Sequence, residues 1–294
     1  MFNLKGSIVA LVTPMEANGD ISWETLNNLI DWHIDSGTKG IVIVGTTGES
    51  ATVDVSEHVQ LIERAVQHSD GRIEIIAGTG ANSTKEALFL TESAKKAGAS
   101  AALLVTPYYN RPTQKGLLEH YKLIANEVDL AQILYNVPSR TACDLLPETV
   151  SELSKEKNIV GLKEASPDPG RLEELKASLS DDNFLLYSGD DLTACNFMLQ
   201  GGHGTISVTA NIVPDKISRI SELALKKNIS ASDLDKDLEK LHENLFIESS
   251  PIPVKWALNK MGRIPEGIRL PLSHLDRAHH AKLNEILLEL NLLD

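Results

Sequence analysis

The 294-residue sequence has few cysteines and few aromatic residues, and each shortage narrows the choice of fold. Its two cysteines, Cys143 and Cys195, lack the spacing of a zinc site or a disulfide framework. We therefore expect two free thiols and a cytoplasmic protein. Aromatic residues make up only 4% of the chain, so the core must be built mainly from Ile, Leu, Val and Ala.

Positive charge and long apolar runs are also scarce. The sequence has 28 basic and 41 acidic residues, a formal net charge of −13, and such a field repels a phosphate backbone. No apolar run approaches the ~20 residues that a membrane span needs, and the N-terminus shows no signal-peptide pattern. We therefore expect neither nucleic-acid nor membrane partners.

The chain does contain regularly recurring short apolar runs rich in β-branched residues, with amphipathic stretches between them. We predict eight strands, beginning near Ile8, Ile41, Glu74, Ala102, Gln132, Ile159, Phe184 and Gly204. Alternating strands and helices are typical of a parallel sheet, and eight repeats favour a closed barrel. An open doubly wound sheet is the competing fold, but it usually has fewer strands and no GxGxxG follows the first strand. We predict an α/β fold, a (β/α)₈ TIM barrel.

The pattern changes near Ile229, where leucines continue at helical spacing with no strands between them. We therefore predict two parts without a low-complexity linker. Residues 1–228 would form the barrel, and residues 229–294 a C-terminal helical extension packed on the barrel or on a neighbouring subunit.

In barrels of this kind the active site lies at the carboxyl ends of the strands, and Lys163 ends one of them. A lysine with an ordinary pKa of ~10.4 is almost fully charged near neutral pH, but burial lowers that pKa. The neutral amine can then attack a carbonyl and form a Schiff base. The alternative is a lysine that pairs with Glu164 or extends to the rim of the barrel.

Three further features gather at the same end of the predicted barrel. Tyr135 ends the preceding strand, where its phenol could transfer protons or simply fill the core. The turn Gly45–Gly48 would present backbone N–H groups suited to a carboxylate or a phosphate, although glycine-rich turns are common. Arg140 could bind a second carboxylate through two hydrogen bonds, or be an ordinary surface arginine.

With these motifs the sequence resembles the dihydrodipicolinate synthase family along essentially its whole length. The resemblance rests on Gly45–Thr52 (GTTGESAT), Ala77–Asn82 (AGTGAN), Val105–Pro112 (VTPYYNRP), Ile133–Thr141 (ILYNVPSRT), Gly161–Ser166 (GLKEAS), Ser188–Asp191 (SGDD) and Gly201–Asn211 (GGHGTISVTAN). It implies a lyase that condenses pyruvate with L-aspartate 4-semialdehyde, on the diaminopimelate route to lysine, through a lysine Schiff base. It also implies a homotetramer built from two tight dimers.

The resemblance assigns roles residue by residue. Lys163 would form the imine, while Tyr135, Thr46 and Tyr109 match the family's proton relay, with Tyr109 supplied by the neighbouring subunit. Thr47, together with Thr46, matches the site for the pyruvate carboxylate, and Arg140 matches the residue that receives the carboxylate of the semialdehyde. Gly189 and Ile206 match positions that line the pocket.

Feedback-inhibited members of the family bind lysine at a second site. The matching positions here are Ser50, Ala51, His58, Asn82, Glu86 and Tyr108. Val55 departs from this pattern, because those members often carry a histidine there, and this leaves inhibition by L-lysine open. A second departure is Ser249-Ser250, where relatives often have Pro-Asn near the active-site rim. That change would affect substrate affinity rather than the chemistry.

Three rival functions share parts of this pattern. N-acetylneuraminate lyase and keto-deoxy-sugar aldolases have the same lysine, tyrosine and glycine turn, but Arg140 and the Tyr108-Tyr109 pair favour the synthase. A non-catalytic sensor of a keto acid or of lysine would have no use for a proton relay. A phosphate-sugar barrel is disfavoured because Ser188–Asp191 brings acidic residues towards the ligand.

We expect no metal and no organic cofactor. No two histidines have zinc-ligand spacing with a carboxylate nearby. In the predicted chemistry the lysine itself acts as the electron sink.

Overall fold

The computed structural model describes residues 2–181 and 183–293, and within them eight parallel strands close into a barrel in chain order. The strands are β1 Gly6–Ala10, β2 Gly40–Ile43, β3 Glu74–Gly78, β4 Ala101–Val105, β5 Ala131–Asn136, β6 Ile159–Glu164, β7 Leu185–Ser188 and β8 Gly204–Ser207. Each begins within two residues of its predicted start. The predicted (β/α)₈ barrel is confirmed.

At least one helix follows each strand, and most of these helices cover the outside of the barrel. They are α1 Trp23–Asp35, α2 Val55–Ser69, α3 Thr84–Ala97, α4 Gln114–Glu127, α5 Pro138–Thr141, α6 Pro147–Leu153, α7 Arg171–Ser178, α8 Asp191–Leu199 and α9 Pro214–Leu225. Local chemistry sets several of their starts. Asp54 and Glu57 form a reciprocal capping box at α2, Ser83 caps α3, and Pro147 begins α6, where its missing N–H costs nothing.

The apolar residues of the strands divide between two cores, because successive side chains of a strand point to opposite faces. Ile8, Val42, Ile76 and Ile133 belong to a cluster inside the barrel, as do Tyr135 and Ile206. Alternate residues such as Val9 and Ile41 pack outward against the helices. The interior is therefore filled with side chains, and its carboxyl-terminal end is left to form a site.

The chain after α9 is helical, as predicted. It contains α10 Ser230–Lys236, α11 Glu239–Asn244, α12 Ile252–Lys260 and α13 Arg277–Glu289. Helix α10 packs on α8 and α9, α11 packs on α8 and α13, and α12 contacts the 3₁₀ turn Thr209–Asn211 that follows β8. The division after residue 228 stays a prediction, and its outer bounds, residues 1 and 294, lie outside the described residues.

The helices found within residues 2–181 and 183–293 include none that is both long and apolar enough to cross a membrane.

Candidate active site

A cavity of about 240 Å³ opens at the carboxyl-terminal end of the barrel. Its wall includes residues from the loop after β2, the ends of β5 and β6, and the segment before α12. Among them are Thr46, Thr47, Tyr135, Arg140, Lys163, Gly189, Phe246 and Ser250. The sequence placed a site at this end, and six of its eight predicted catalytic and substrate-binding residues line the cavity.

Lys163 lies on the cavity wall near the end of β6 and is only 5% exposed. Burial lowers the pKa of its ammonium to about 8; the negative charge of Asp191 opposes this shift, and the positive charge of Arg140 adds to it. Gly189 directly follows the next strand, β7, and a Cβ atom there would lie 2.7 Å from the Cε atom of Lys163. Glycine at this position therefore leaves the space that the lysine side chain occupies.

Tyr135 is the neighbour of Lys163 on β5, and the lysine Nζ lies 4.2 Å from the centroid of its ring. Burial raises the pKa of the phenol to about 12, although Arg140 and the Thr46 hydroxyl favour the phenolate. The phenol is therefore protonated near neutral pH. It can donate a proton to a group bound beside Lys163 and take one back.

In the described structure Glu164 makes no contact with the Lys163 ammonium and instead binds the last residue of β5 and the loop that follows β6. Its carboxylate accepts hydrogen bonds from Asn136 Nδ2, at 3.1 and 3.3 Å, and from the backbone N–H of Ser166 at 2.6 Å. Asn136 Nδ2 also donates to Asp144, which Arg171 binds through two nitrogens. Within the described part of the chain no ion pair joins Lys163 to Glu164, so the alternative of a lysine paired with its neighbour is wrong.

The loop after β2 places Thr46 and Thr47 at the cavity. It is closed by its own backbone hydrogen bonds, from Gly48 N to Gly45 O at 3.0 Å and from Glu49 N to Thr46 O at 3.1 Å. Val44 and Glu49 have φ angles of 54° and 59°, a region that side chains with a Cβ rarely adopt. The loop therefore has a strained backbone that its surroundings must maintain.

Three of the predicted site residues lie at different positions relative to the cavity. Arg140 is exposed on the short helix α5 and lines the mouth. Tyr109 is 90% exposed, with φ 74°, and is not part of the wall within this subunit. Ile206 is buried in the interior of the barrel beneath the site, and among the described residues it is not one that lines the cavity.

The residues matched to a lysine site lie near the loop after β2 and the starts of α2 and α3. His58 is buried and its Nε2 lies 2.6 Å from the carbonyl of Gly78, while burial lowers the pKa of its imidazole. Burial and the nearby charge of Glu86 raise the pKa of Tyr108.

The other residues matched to this site differ in their contacts and exposure. The backbone carbonyl of Asn82 accepts a hydrogen bond from the side chain of Asn110. Ser50 is partly buried and lines the active-site cavity, whereas Ala51 and Val55 are exposed.

The departure at Ser249-Ser250 lies at the cavity itself. Ser250 lines the cavity and is 4% exposed, and within the described structure its hydroxyl has no hydrogen-bond partner.

Sequence reasoning missed a buried ion pair between Glu49 and Lys255 beside the loop after β2. The two residues are 206 positions apart, so no local pattern joins them. It included Asp191 in the Ser188–Asp191 motif but gave it no role; its carboxylate accepts hydrogen bonds from the backbone N–H groups of Val208 and Thr209.

Comparison with known proteins agrees with this geometry. The sequence model of the Dihydrodipicolinate synthetase family matches residues 3–290. The chain belongs to this family. A 4-hydroxy-tetrahydrodipicolinate synthase of Pseudomonas savastanoi is 57% identical over 285 residues, which is 97% of each chain.

Two solved structures of the family are also close to this fold. The chloride-inhibited dihydrodipicolinate synthase of Acinetobacter baumannii, complexed with pyruvate, superposes with a TM-score of 0.95 at 49% identity, covering 99% of this chain and 100% of that one. The enzyme of Cyanidioschyzon merolae, with lysine bound, gives a TM-score of 0.95 at 34% identity and 99% coverage of both. The family, the enzyme class and the synthase function predicted from the sequence are confirmed.

Proposed function

We propose that this family member condenses pyruvate with L-aspartate 4-semialdehyde to give 4-hydroxy-tetrahydrodipicolinate, through an imine at Lys163. The observation that carries the proposal is a buried lysine, its pKa lowered to about 8, in contact with a protonated tyrosine at the wall of the cavity. At that pKa a substantial fraction of the amine is neutral at the pH of a cell.

The reaction begins when the neutral Lys163 Nζ attacks the keto carbon of pyruvate. The resulting carbinolamine loses its hydroxyl group as water, with a proton supplied by Tyr135, and becomes the imine. Loss of a methyl proton gives an enamine, whose terminal carbon attacks the aldehyde carbon of the second substrate. The amino group of that substrate then attacks the imine carbon, closes the ring and releases Lys163 as a free amine.

The other site residues have supporting roles in this proposal. Thr46 and the Tyr109 of a neighbouring subunit continue the proton relay from Tyr135, and Thr47 binds the pyruvate carboxylate with Thr46. Arg140, exposed at the mouth of the cavity, receives the carboxylate of the semialdehyde. Gly189 borders the lysine, and Ile206 supports the site from below.

The same proposal extends to the oligomeric state, to regulation and to the location of the protein in the cell. The exposure of Tyr109 supports a tight dimer in which this side chain reaches a neighbouring cavity, with two dimers forming a tetramer in the cytoplasm. L-lysine is the proposed inhibitor, and Glu86 would bind its ammonium beside Ser50, Ala51, His58, Asn82 and Tyr108.

The direct test is consumption of L-aspartate 4-semialdehyde in the presence of pyruvate, with the parent protein and Lys163→Ala compared at equal concentration. The proposal requires turnover by the parent and none by the variant. An inert parent would overturn it, and the next assay would then present pyruvate together with other aldehydes.

A further inference from the structure

The loop that carries Thr46 and Thr47 is bound from outside the barrel by two segments of the C-terminal region. Glu49, two residues beyond Thr47, accepts a hydrogen bond from Lys255 Nζ on α12 through one carboxylate oxygen. Its second oxygen accepts the backbone N–H of Arg269 at 3.1 Å. Both oxygens are therefore used, and the partners come from 206 and 220 positions further along the chain.

Both charges of this pair are removed from water. The side chains of Lys255 and Glu49 are 5% and 0% exposed. Burial lowers the pKa of Lys255, and the carboxylate of Glu49 opposes that shift. Burying two charges carries a desolvation cost that their attraction only partly recovers, and apolar residues of similar size would often serve stability equally well. Stability alone therefore does not explain why a buried ion pair, rather than two apolar side chains, occupies this position.

The loop after β2 has strained backbone angles on both sides of Thr46 and Thr47, and the ion pair helps to maintain them. Glu49 itself has a φ of 59°, and its N–H donates to the carbonyl of Thr46. Val44, on the other side of the two threonines, has a φ of 54°. Such φ angles persist only where surrounding contacts enforce them. Glu49 has a buried, charged partner in Lys255, and this contact therefore helps to keep the loop in its strained conformation.

The remaining contacts of the loop fix its two sides. Thr13 donates its hydroxyl to the carbonyl of Gly48 at 2.7 Å. On the other side, the backbone of Gly78, at the end of β3, packs closely against the carbonyl oxygen of Val44. A Cβ atom on residue 78 would lie 2.3 Å from that oxygen, so only glycine allows this approach. The barrel thus supports the inner side of the loop, while the outer side is held by the C-terminal region.

We propose that Lys255 and Glu49 are positioning residues, which hold Thr46 and Thr47 in their catalytic geometry by an ion pair between α12 and the loop after β2. This inference rests on the proposed function. It gives α12 an indirect part in catalysis, in addition to the contribution of Phe246 and Ser250, which line the cavity from the segment between α11 and α12.

The first test compares Lys255→Met with Leu258→Ala, a substitution of a fully buried leucine on the same helix. Both variants are expected to melt at lower temperature than the parent. Both variants are then compared at a temperature where both are folded. Lys255→Met should lower kcat and raise the KM for pyruvate, so that kcat/KM falls by about 10- to 100-fold. The reason is that a small misplacement of a catalytic group lowers the rate strongly. Leu258→Ala should keep parental values of both.

A double-mutant cycle separates positioning from a general loss of structure. If Lys255 acts through Thr46, then adding Lys255→Met to Thr46→Val should reduce kcat by less than about threefold. A purely structural role would make the two losses multiply. Independent losses in the cycle would overturn the proposal, as would a folded Lys255→Met enzyme with parental kcat and KM.

Glu49→Gln keeps the inference testable if Lys255→Met does not fold. The amide keeps the size of the side chain and one acceptor oxygen for the backbone N–H of Arg269, but it removes the charged oxygen that pairs with Lys255. The same loss of kcat/KM is expected, and parental kinetics would overturn the inference. A failure of the proposed function would instead appear as an inert parent enzyme in the same series.

Discussion

Tyr135 lies opposite Lys163 because the pairing of β5 with β6 shifts by one residue. Gln132 pairs with Ile159, but its successor Ile133 pairs with Gly161, so β6 has one extra residue at Val160. Without that irregularity Tyr135 would face Leu162. Bulges of this kind occur often beside active sites, where they redirect a side chain.

The first prediction concerns the pH dependence of imine formation. The folded-state pKa of Lys163 is lowered to about 8, so the neutral, nucleophilic form grows about tenfold per pH unit below 8 and saturates above it. The initial rate of imine formation with pyruvate should therefore rise with pH and level off just above 8.

Arg140 provides the control for that profile. Its positive charge helps to lower the pKa of Lys163, so Arg140→Gln should move the midpoint to higher pH. A parental midpoint near 10, or one that the variant does not move, would contradict the assigned electrostatics.

The second prediction concerns the phenol of Tyr135. Tyr135→Phe keeps the ring that contacts Lys163 and removes the proton donor, so kcat should fall by about 100- to 10,000-fold. The melting temperature should change little, because the ring still fills the core. Turnover within threefold of the parent would remove Tyr135 from the relay.

The sequence predicts the barrel well because its signals are local. Strand starts follow from short apolar runs, and Lys163 and Tyr135 are found because they end such runs. The extra residue at Val160 and the pairing of Glu49 with Lys255 are not predictable in this way, since they depend on closure of the barrel and on contacts between distant segments. Arg140 was assigned through family resemblance, and the short helix α5 that presents it was not anticipated.

The third prediction uses the exposure of Tyr109. If each active site combines Lys163 of one subunit with Tyr109 of its neighbour, Tyr109→Phe and Lys163→Ala should each be nearly inactive. Random mixing of the two after unfolding and refolding should restore about a quarter of parental activity, because half of the dimers are mixed and each has one intact site. No recovery in refolded mixtures, with full recovery of the refolded parent, would place Tyr109 outside a shared site.

The fourth prediction concerns inhibition by L-lysine. Val55 begins α2 and is 45% exposed, so a histidine can replace it without crowding the core. We expect weak inhibition of the parent, and inhibition about tenfold stronger in Val55→His, the gain of about one hydrogen bond to a charged ligand. Glu86→Ala should remove the effect in both backgrounds. Equal inhibition of parent and Val55→His would show that this position does not contact lysine.

The most direct test of the central claim is borohydride reduction in the presence of pyruvate, followed by mass mapping of the modified residue. We expect one stable adduct on Lys163 per subunit, and none in Lys163→Ala. An adduct on another lysine, or an unmodified parent that still turns over both substrates, would contradict imine formation at Lys163.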